Sequence, residues 1–259
     1  MRSALLALAL ATVLAACSGS EEPPPPDLPA EQLYSQGQGF MSQGAFADAA
    51  KSFEEVERQH PYSQWATRGQ IMAAYAYYEA NQYEDAVSAA DRFIQLHPGH
   101  KDVAYAYYLI GVSYYEQISD VGRDQEMTRR SEEAFNELIR RFPQSDYSQD
   151  AELKVDLIRD HLAGKEMEIG RYYQKQKFWL ASINRFQTVV ERYQTTTHVP
   201  EALHRLTESY VALGMTTEAQ ATAAVLGYNF PGSEWYKRAY ALVNGKPPPQ
   251  SNSWFSSLF

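Results

Sequence analysis

Six histidines, one cysteine and several adjacent carboxylates are the residues of this 259-residue chain with the means to do chemistry. A zinc site would need imidazoles or thiolates at close repeated spacing, as in H-E-x-x-H on one helix face. Instead, His60, His97 and His100 stand at or beside prolines, and His161, His198 and His204 show no such spacing, so no metal set is expected. There is no C-x-x-C, no G-x-S-x-G and no G-x-x-x-x-G-K, which leaves redox, serine-hydrolase and phosphate-loop mechanisms without a carrier. Glu54 with Glu55, and Glu132 with Glu133, are sequence neighbours that project in different directions around a helix, as a solvated face does. Gly37, Gly39 and Gly44 imitate a nucleotide fingerprint only loosely, because they open no strand-turn-helix unit. No catalytic residue is expected, and recognition is left as the task. With 23 Lys+Arg against 32 Asp+Glu, a formal charge of -9, nucleic acid is not the expected partner.

The cysteine has a different chemistry in view. Arg2, then the apolar run Ala4 to Ala16 broken only by Thr12, then Leu14-Ala15-Ala16 before Cys17, reads as an export signal too short to span a bilayer. A lone cysteine closes no internal disulfide. The segment resembles a bacterial lipobox, which implies that residues 1–16 are removed and that Cys17 carries an N-acyl and an S-diacylglycerol lipid; no other cofactor is expected. Two or more chains hold a protein stably on a membrane, at about 0.8 kcal/mol per buried methylene. Ser18 after the cysteine is similar to the outer-membrane sorting of Gram-negative lipoproteins. Residues 17–29, with Pro23 to Pro26 in a row, read as an extended spacer. Losing Arg2 leaves 22 basic against 32 acidic residues, a charge of -10, and no polybasic attraction to lipid.

The elements that must position a binding surface are legible from the prolines. Only Pro61, Pro98, Pro143, Pro200 and Pro231 interrupt the body, and Pro61, Pro98, Pro143 and Pro231 are spaced by 37, 45 and 88 residues. Proline breaks a helix interior, so this spacing marks joints between repeated helical units. Small and aromatic residues recur before each joint: Gly37, Phe40, Phe46, Ala49, Phe53; Ala74, Tyr77, Tyr83, Ala86, Ala90; Gly111, Tyr114, Phe135, Leu138; Gly170, Tyr173, Trp179, Phe186; Leu206, Tyr210, Ala219, Ala223. Ile118 to Met127 reads as an insertion of about eight residues in the third unit, and Gln194 stands where the fourth joint would have proline. This resembles the tetratricopeptide repeat, which implies a small residue of each first helix packed on an alanine of the second. The expected fold is all-α, a tetratricopeptide-repeat solenoid of about five helix pairs over residues 30–240, with Trp235, Tyr236 and Tyr240 capping the last pair. The inner wall of such a superhelix comes from the first helices: Tyr34, Gln38 and Met41; Arg68, Ile71, Tyr75 and Tyr78; Tyr105, Tyr108, Val112 and Tyr115. Of these, Tyr34, Arg68, Tyr75, Tyr78, Tyr108 and Tyr115 form the expected peptide groove, with arginine as a carboxylate clamp beside aromatic contact area. Packing between helices is the competing use for each tyrosine.

The blocks Asp91-Arg92-Phe93-Ile94-Gln95-Leu96-His97-Pro98, Arg159-Asp160-His161-Leu162-Ala163, Tyr172-Tyr173, Trp179 and Asn184-Arg185 resemble the BamD family, also called the competence lipoprotein family, over Cys17 to about Phe230. That resemblance implies a non-enzymatic adaptor of the β-barrel assembly machinery, lipid-anchored on the periplasmic face of the outer membrane. It implies BamA and other machinery subunits as partners, and unfolded outer-membrane β-barrel proteins as clients. It also implies that Trp179, Asn184 and Arg185 face BamA, with Arg185 in an ion pair; a bridge to a neighbouring helix is the other use of that arginine. A general periplasmic scaffold for cell-wall or division factors is the alternative reading of the same repeats. Residues 241–259, with Pro247 to Pro249 and then Trp254, Phe255, Leu258 and Phe259, read as a tail, either a docking motif or unstructured.

Overall fold

The computed structural model describes residues 27–246. The lipobox with Cys17, the spacer through Pro26 and the tail from Pro247 lie outside them. The described chain is helical throughout, with eleven helices and no strand. They form five antiparallel pairs: α1 (Ala30–Ser42) with α2 (Phe46–Gln59), α3 (Gln64–Glu79) with α4 (Tyr83–Leu96), α5 (Val103–Tyr115) with α6 (Glu126–Arg141), α7 (Asp146–Lys175) with α8 (Trp179–Arg192), and α9 (Val199–Ala212) with α10 (Thr216–Asn229). A last helix, α11 (Glu234–Asn244), lies on α9 and α10 and continues past residue 240. Trp235 stacks on His204 at 5.3 Å and Tyr236 covers Gly227, so the expected aromatics do close the last pair.

The turns inside the pairs repeat one device. Gly44, Asn81, Lys177 and Gly214 all take left-handed backbone angles, φ 73°, 58°, 63° and 74°. In each case the next amide reaches back to a carbonyl of the last helical turn: Ala45 to Phe40, Gln82 to Tyr77, Phe178 to Tyr173 and Met215 to Tyr210. This satisfies carbonyls that the helix end leaves free. The joints between pairs repeat another. His60, His97, Phe142, Tyr193 and Phe230 end their helices near φ -130° and ψ 50°. Prolines follow four of them, and Tyr193 reaches the same conformation before Gln194, so the joint does not depend on the imino ring.

Packing adds to one expectation. In three units the space beside the small residue of the first helix is filled by a phenylalanine of the second. A Cβ on Gly37 would lie 2.6 Å from Cε1 of Phe53, and Gly111 and Gly170 are filled in the same way by Phe135 and Phe186. At the equivalent places in the other pairs stand Ala74 with Ala90 and Thr207 with Ala223, all buried. Volume is shared across each contact, the larger ring requiring the smaller partner.

Helix α7 is 30 residues long, roughly twice its counterparts. Its Ala151, Val155, Ile158 and Leu162 complete the core of units two to four, and its Ala163 and Met167 begin the core of units four and five. One helix thus ties the two halves together. Neither it nor any other described helix is long and apolar enough to cross a membrane.

Candidate functional site: an aromatic wall of first helices

First helices touch one another across units, α1 with α3, α3 with α5 and α5 with α7, whereas second helices share no comparable contact among the described residues. The first helices therefore lie on the shorter, inner circumference of the superhelix.

Their inward side chains form a ladder of rings. Tyr34 of α1 lies 4.9 Å from Trp65 of α3 and 5.3 Å from Phe53. Tyr75 of α3 lies 6.4 Å from Tyr105 of α5, and Tyr147 of α7 meets both Tyr105 at 5.2 Å and Tyr108 at 5.4 Å. Such tilted ring pairs add about 0.5–1.5 kcal/mol each beyond burial. The tyrosines at 34, 75, 105 and 108 are half-buried, packing on one edge and open on the other. Burial pushes the Tyr105 phenol well above its usual range, with the neighbouring tyrosines adding to the effect, and burial together with Asp150 does the same to Tyr108. These hydroxyls stay protonated donors.

Charge differs along the wall. Arg68 is exposed, sits 5.3 Å above the Trp65 ring and forms no ion pair among the described residues. At the far end Asp150 is engaged through one oxygen: Tyr108 donates to its Oδ2 at 2.6 Å and Lys154 stands 3.2 Å from the same atom. The Tyr108 hydroxyl and then Lys154 hold the Asp150 carboxyl below its usual value against the opposing effect of burial. Lys154 also covers Tyr115 at 5.3 Å.

The structure brings Tyr34, Arg68, Tyr75, Tyr108 and Tyr115 onto this inner face. Tyr78 pairs with Tyr83 of α4 at 6.1 Å and also approaches the wall residue Tyr108 of α5 and Glu116 just after that helix. Two wall residues expected from the sequence are not there: Ile71 and Val112 are 7% and 5% exposed and belong to the core. A one-residue difference in helical register, 100°, is enough to turn a side chain from wall to core. Two further residues, Trp65 and Tyr147, build the wall without belonging to the repeating small and aromatic positions. Their signal is the joint motif: Ser63 and Ser145 cap α3 and α7 by accepting from Ala66 N and Tyr147 N, and an aromatic follows each serine by two residues. Ser233 and Trp235 repeat it in α11.

Two of the histidines work at joints. Nε2 of His60 contacts the Leu28 carbonyl at 2.6 Å, fastening the end of the spacer to the first joint, and Nε2 of His97 contacts Gln70 Oε1 at 2.6 Å. Among the described residues no group of three or more His, Cys, Asp or Glu is arranged to hold a metal.

Trp179, Asn184 and Arg185 do not converge on one contact. Trp179 opens onto a cleft of about 400 Å³ with Arg171, Lys175, Arg205 and Glu208. Gln174 staples the floor of that cleft, donating to the Arg205 carbonyl at 3.2 Å and to Ser209 Oγ at 3.2 Å. Asn184 is exposed. Arg185 donates to Glu166 Oε2 at 3.0 Å and keeps 41% of its side chain exposed.

Comparison with known proteins places this geometry. Residues 26–226 match the family described as YfiO, outer membrane lipoprotein. The chain is similar to the outer membrane protein assembly factor BamD of Caulobacter vibrioides, 47% identical over 93% of this chain and 80% of that one. It is 46% identical to the protein of the same name from Rickettsia prowazekii, over 93% and 95% of the two chains. Among solved structures it is similar to the TPR2AB-domain:pHSP90 complex of yeast Sti1, with a TM-score of 0.43, 15% identity and coverage of 83% and 81%.

Proposed function

The chain belongs to the outer membrane lipoprotein family of the BamD assembly factors, and on that premise we propose how its surfaces divide the work of an adaptor. It is an outer membrane protein assembly factor and not an enzyme, a subunit that works with the assembly machinery and its outer-membrane clients. The inner wall of units one to four receives an extended, aromatic-ended segment of an unfolded β-barrel client. The ladder from Tyr34 through Trp65 to Tyr75, Tyr105 and Tyr147 supports this most, because it offers ring faces to alternate side chains across four consecutive first helices. Arg68, exposed and unpaired beside Trp65, suits the terminal carboxylate.

Units four and five contact BamA. Trp179 opens onto a cleft whose Lys175 suits a carboxylate-bearing partner, its Arg171 and Arg205 being already paired with Glu201 and Glu208, and Arg185 is open enough to exchange Glu166 for an acidic group across the interface. A diacylglycerol and an acyl chain on Cys17 hold the whole on the periplasmic face of the outer membrane. The contact of His60 with Leu28 fixes where the tether enters the folded body.

A photoreactive residue at Tyr75 tests the client site: it should label a peptide ending in a phenylalanine carboxylate, and the label should fall with Arg68→Glu. Undiminished labelling of a peptide lacking both the aromatic end and the carboxylate would refute the assignment. Arg185→Glu should weaken co-purification with BamA while labelling at Tyr75 persists, and full co-purification would remove Arg185 from the interface.

A further inference from the structure

Unit three differs from the others between its two helices. Instead of a tight left-handed turn it carries a loop through residues 117–125, held in shape by Gly122 N donating to Asp120 Oδ1 at 2.8 Å and by Gln125 Nε2 donating to the Asp120 carbonyl at 3.1 Å. Lys165 of α7 reaches the Gly122 carbonyl at 3.0 Å and latches the loop to the long helix. On the other flank of α7 the fourth joint is held equally firmly: Thr197 donates its amide and hydroxyl to Asp160 Oδ1 at 3.0 and 2.8 Å.

Between these two latched segments runs a cleft of about 870 Å³ with α7 as its floor. Gly164 lies in that floor, where even a Cβ would come within 3.3 Å of His198 Nε2 and 3.8 Å of Val121. A smaller cleft of about 430 Å³, lined by Tyr115, Glu116 and Ile118, shares Leu157 and His161 with the first, so the two form one furrow. His161, common to both, has an enclosed Nε2 with no hydrogen-bond partner.

The furrow combines two features that water alone does not explain. Leu157 is 61% exposed in it, with Leu153 one turn earlier 67% exposed. Asp120, Asp156, Asp160, Glu168 and Glu116 give it five carboxylates; Asp160 faces His198 at 3.6 Å and Glu168 faces Lys165 at 3.8 Å, whereas Asp156 has neither hydrogen bond nor ion pair among the described residues. The one lining arginine, Arg171, is already paired with Glu201 at 3.4 Å. On α7 the aromatic wall uses residues 147 and 150 and the furrow residues 156 onward, and Tyr115 marks the border where the two surfaces meet.

We propose that the furrow docks a partner's extended polypeptide segment in which lysine or arginine alternates with aliphatic residues. The carboxylates select the cations, and Leu157, Val121 and Ile118 receive the aliphatic side chains. Association is steered by charge and weakens with salt. This inference does not depend on the client or BamA assignments.

The test uses the full chain in a nonionic detergent and a fluorescent peptide of alternating lysine and leucine, read by anisotropy. Saturable binding is expected, falling about tenfold with Asp156→Lys and by a similar factor with Leu157→Ser. Both positions are exposed, so the melting curve should not move. A photoreactive residue at 157 should label the peptide. Equal affinity of the Asp156→Lys chain, equal binding of an alternating glutamate-leucine peptide, loss of binding with Arg68→Glu, or no label at 157 would each overturn the proposal.

Discussion

The two ends of the aromatic wall are built from the same motif and have come to different uses. At one end Ser63 caps α3, Trp65 follows by two residues and Arg68 by five; at the other Ser145 caps α7, Tyr147 follows by two and Asp150 by five. Arg68 stands free above its ring, whereas Asp150 is bound by Tyr108 and Lys154. The cap and the aromatic are therefore the architectural part of the motif. The charged position is where a unit either opens to a ligand or locks itself to its neighbour. In α11 the same place holds Arg238, exposed and 5.2 Å above Trp235 of its own helix, a third copy of the motif.

This contrast can be broken by experiment. The largest effect is expected from Arg68→Glu, which should weaken binding of a peptide ending in a phenylalanine carboxylate more than about tenfold by calorimetry, with the melting temperature unchanged. Asp150→Asn should show the reverse pattern, with affinity held within about twofold and the melting temperature lowered. Next, Tyr147→Ala removes the ring that bridges Tyr105 and Tyr108 and should cost about 1–3 kcal/mol in denaturant titration. Trp65→Ala, at the open end, should lose more affinity than stability; equal losses at both ends would erase the distinction.

Tyr108→Phe deletes one hydrogen bond to a partly exposed carboxylate that keeps Lys154, so about 1 kcal/mol is expected. The smallest effect is a matter of pH. Because the folded state holds the Asp150 carboxyl below its unfolded value, its stabilisation is present above about pH 4 and is lost as pH falls through the folded value. The gap in melting temperature between the wild-type chain and Asp150→Asn should therefore close on acidification below the folded value, and a gap that widened as the solution is acidified would contradict the assignment. His97 works in the same direction nearer neutrality: burial, with His100 adding to it, lowers its value, so stability is full above about pH 6.5 and declines as the solution is acidified below it.

Much of the fold was open to reading because its joints are written in local chemistry. A proline or an αL residue imposes the same backbone wherever it falls, and so Pro61, Pro98, Pro143 and Pro231 locate the joints. The size matching was only half visible. Gly37 announces itself as a small position, but that it receives the ring of Phe53 depends on how two helices cross. Ile71 and Val112 show the same limit for the site: they share a helix with true wall residues, and only the packed register separates core from surface. Trp65 and Tyr147 were within reach, since both stand two residues after a capping serine.

From its residues alone, this chain settles its helical pairs and their joints, because each depends on neighbours a few positions away. Its long seventh helix, the furrow that this helix floors, the capture of Arg185 by Glu166 and the contrast between Arg68 and Asp150 were decided by the tertiary structure. The furrow, the capture of Arg185 and the engagement of Asp150 each bring together groups from different helices. Whether a charge is free or spent depends on which side chain the superhelix sets opposite it, and no local periodicity carries that information.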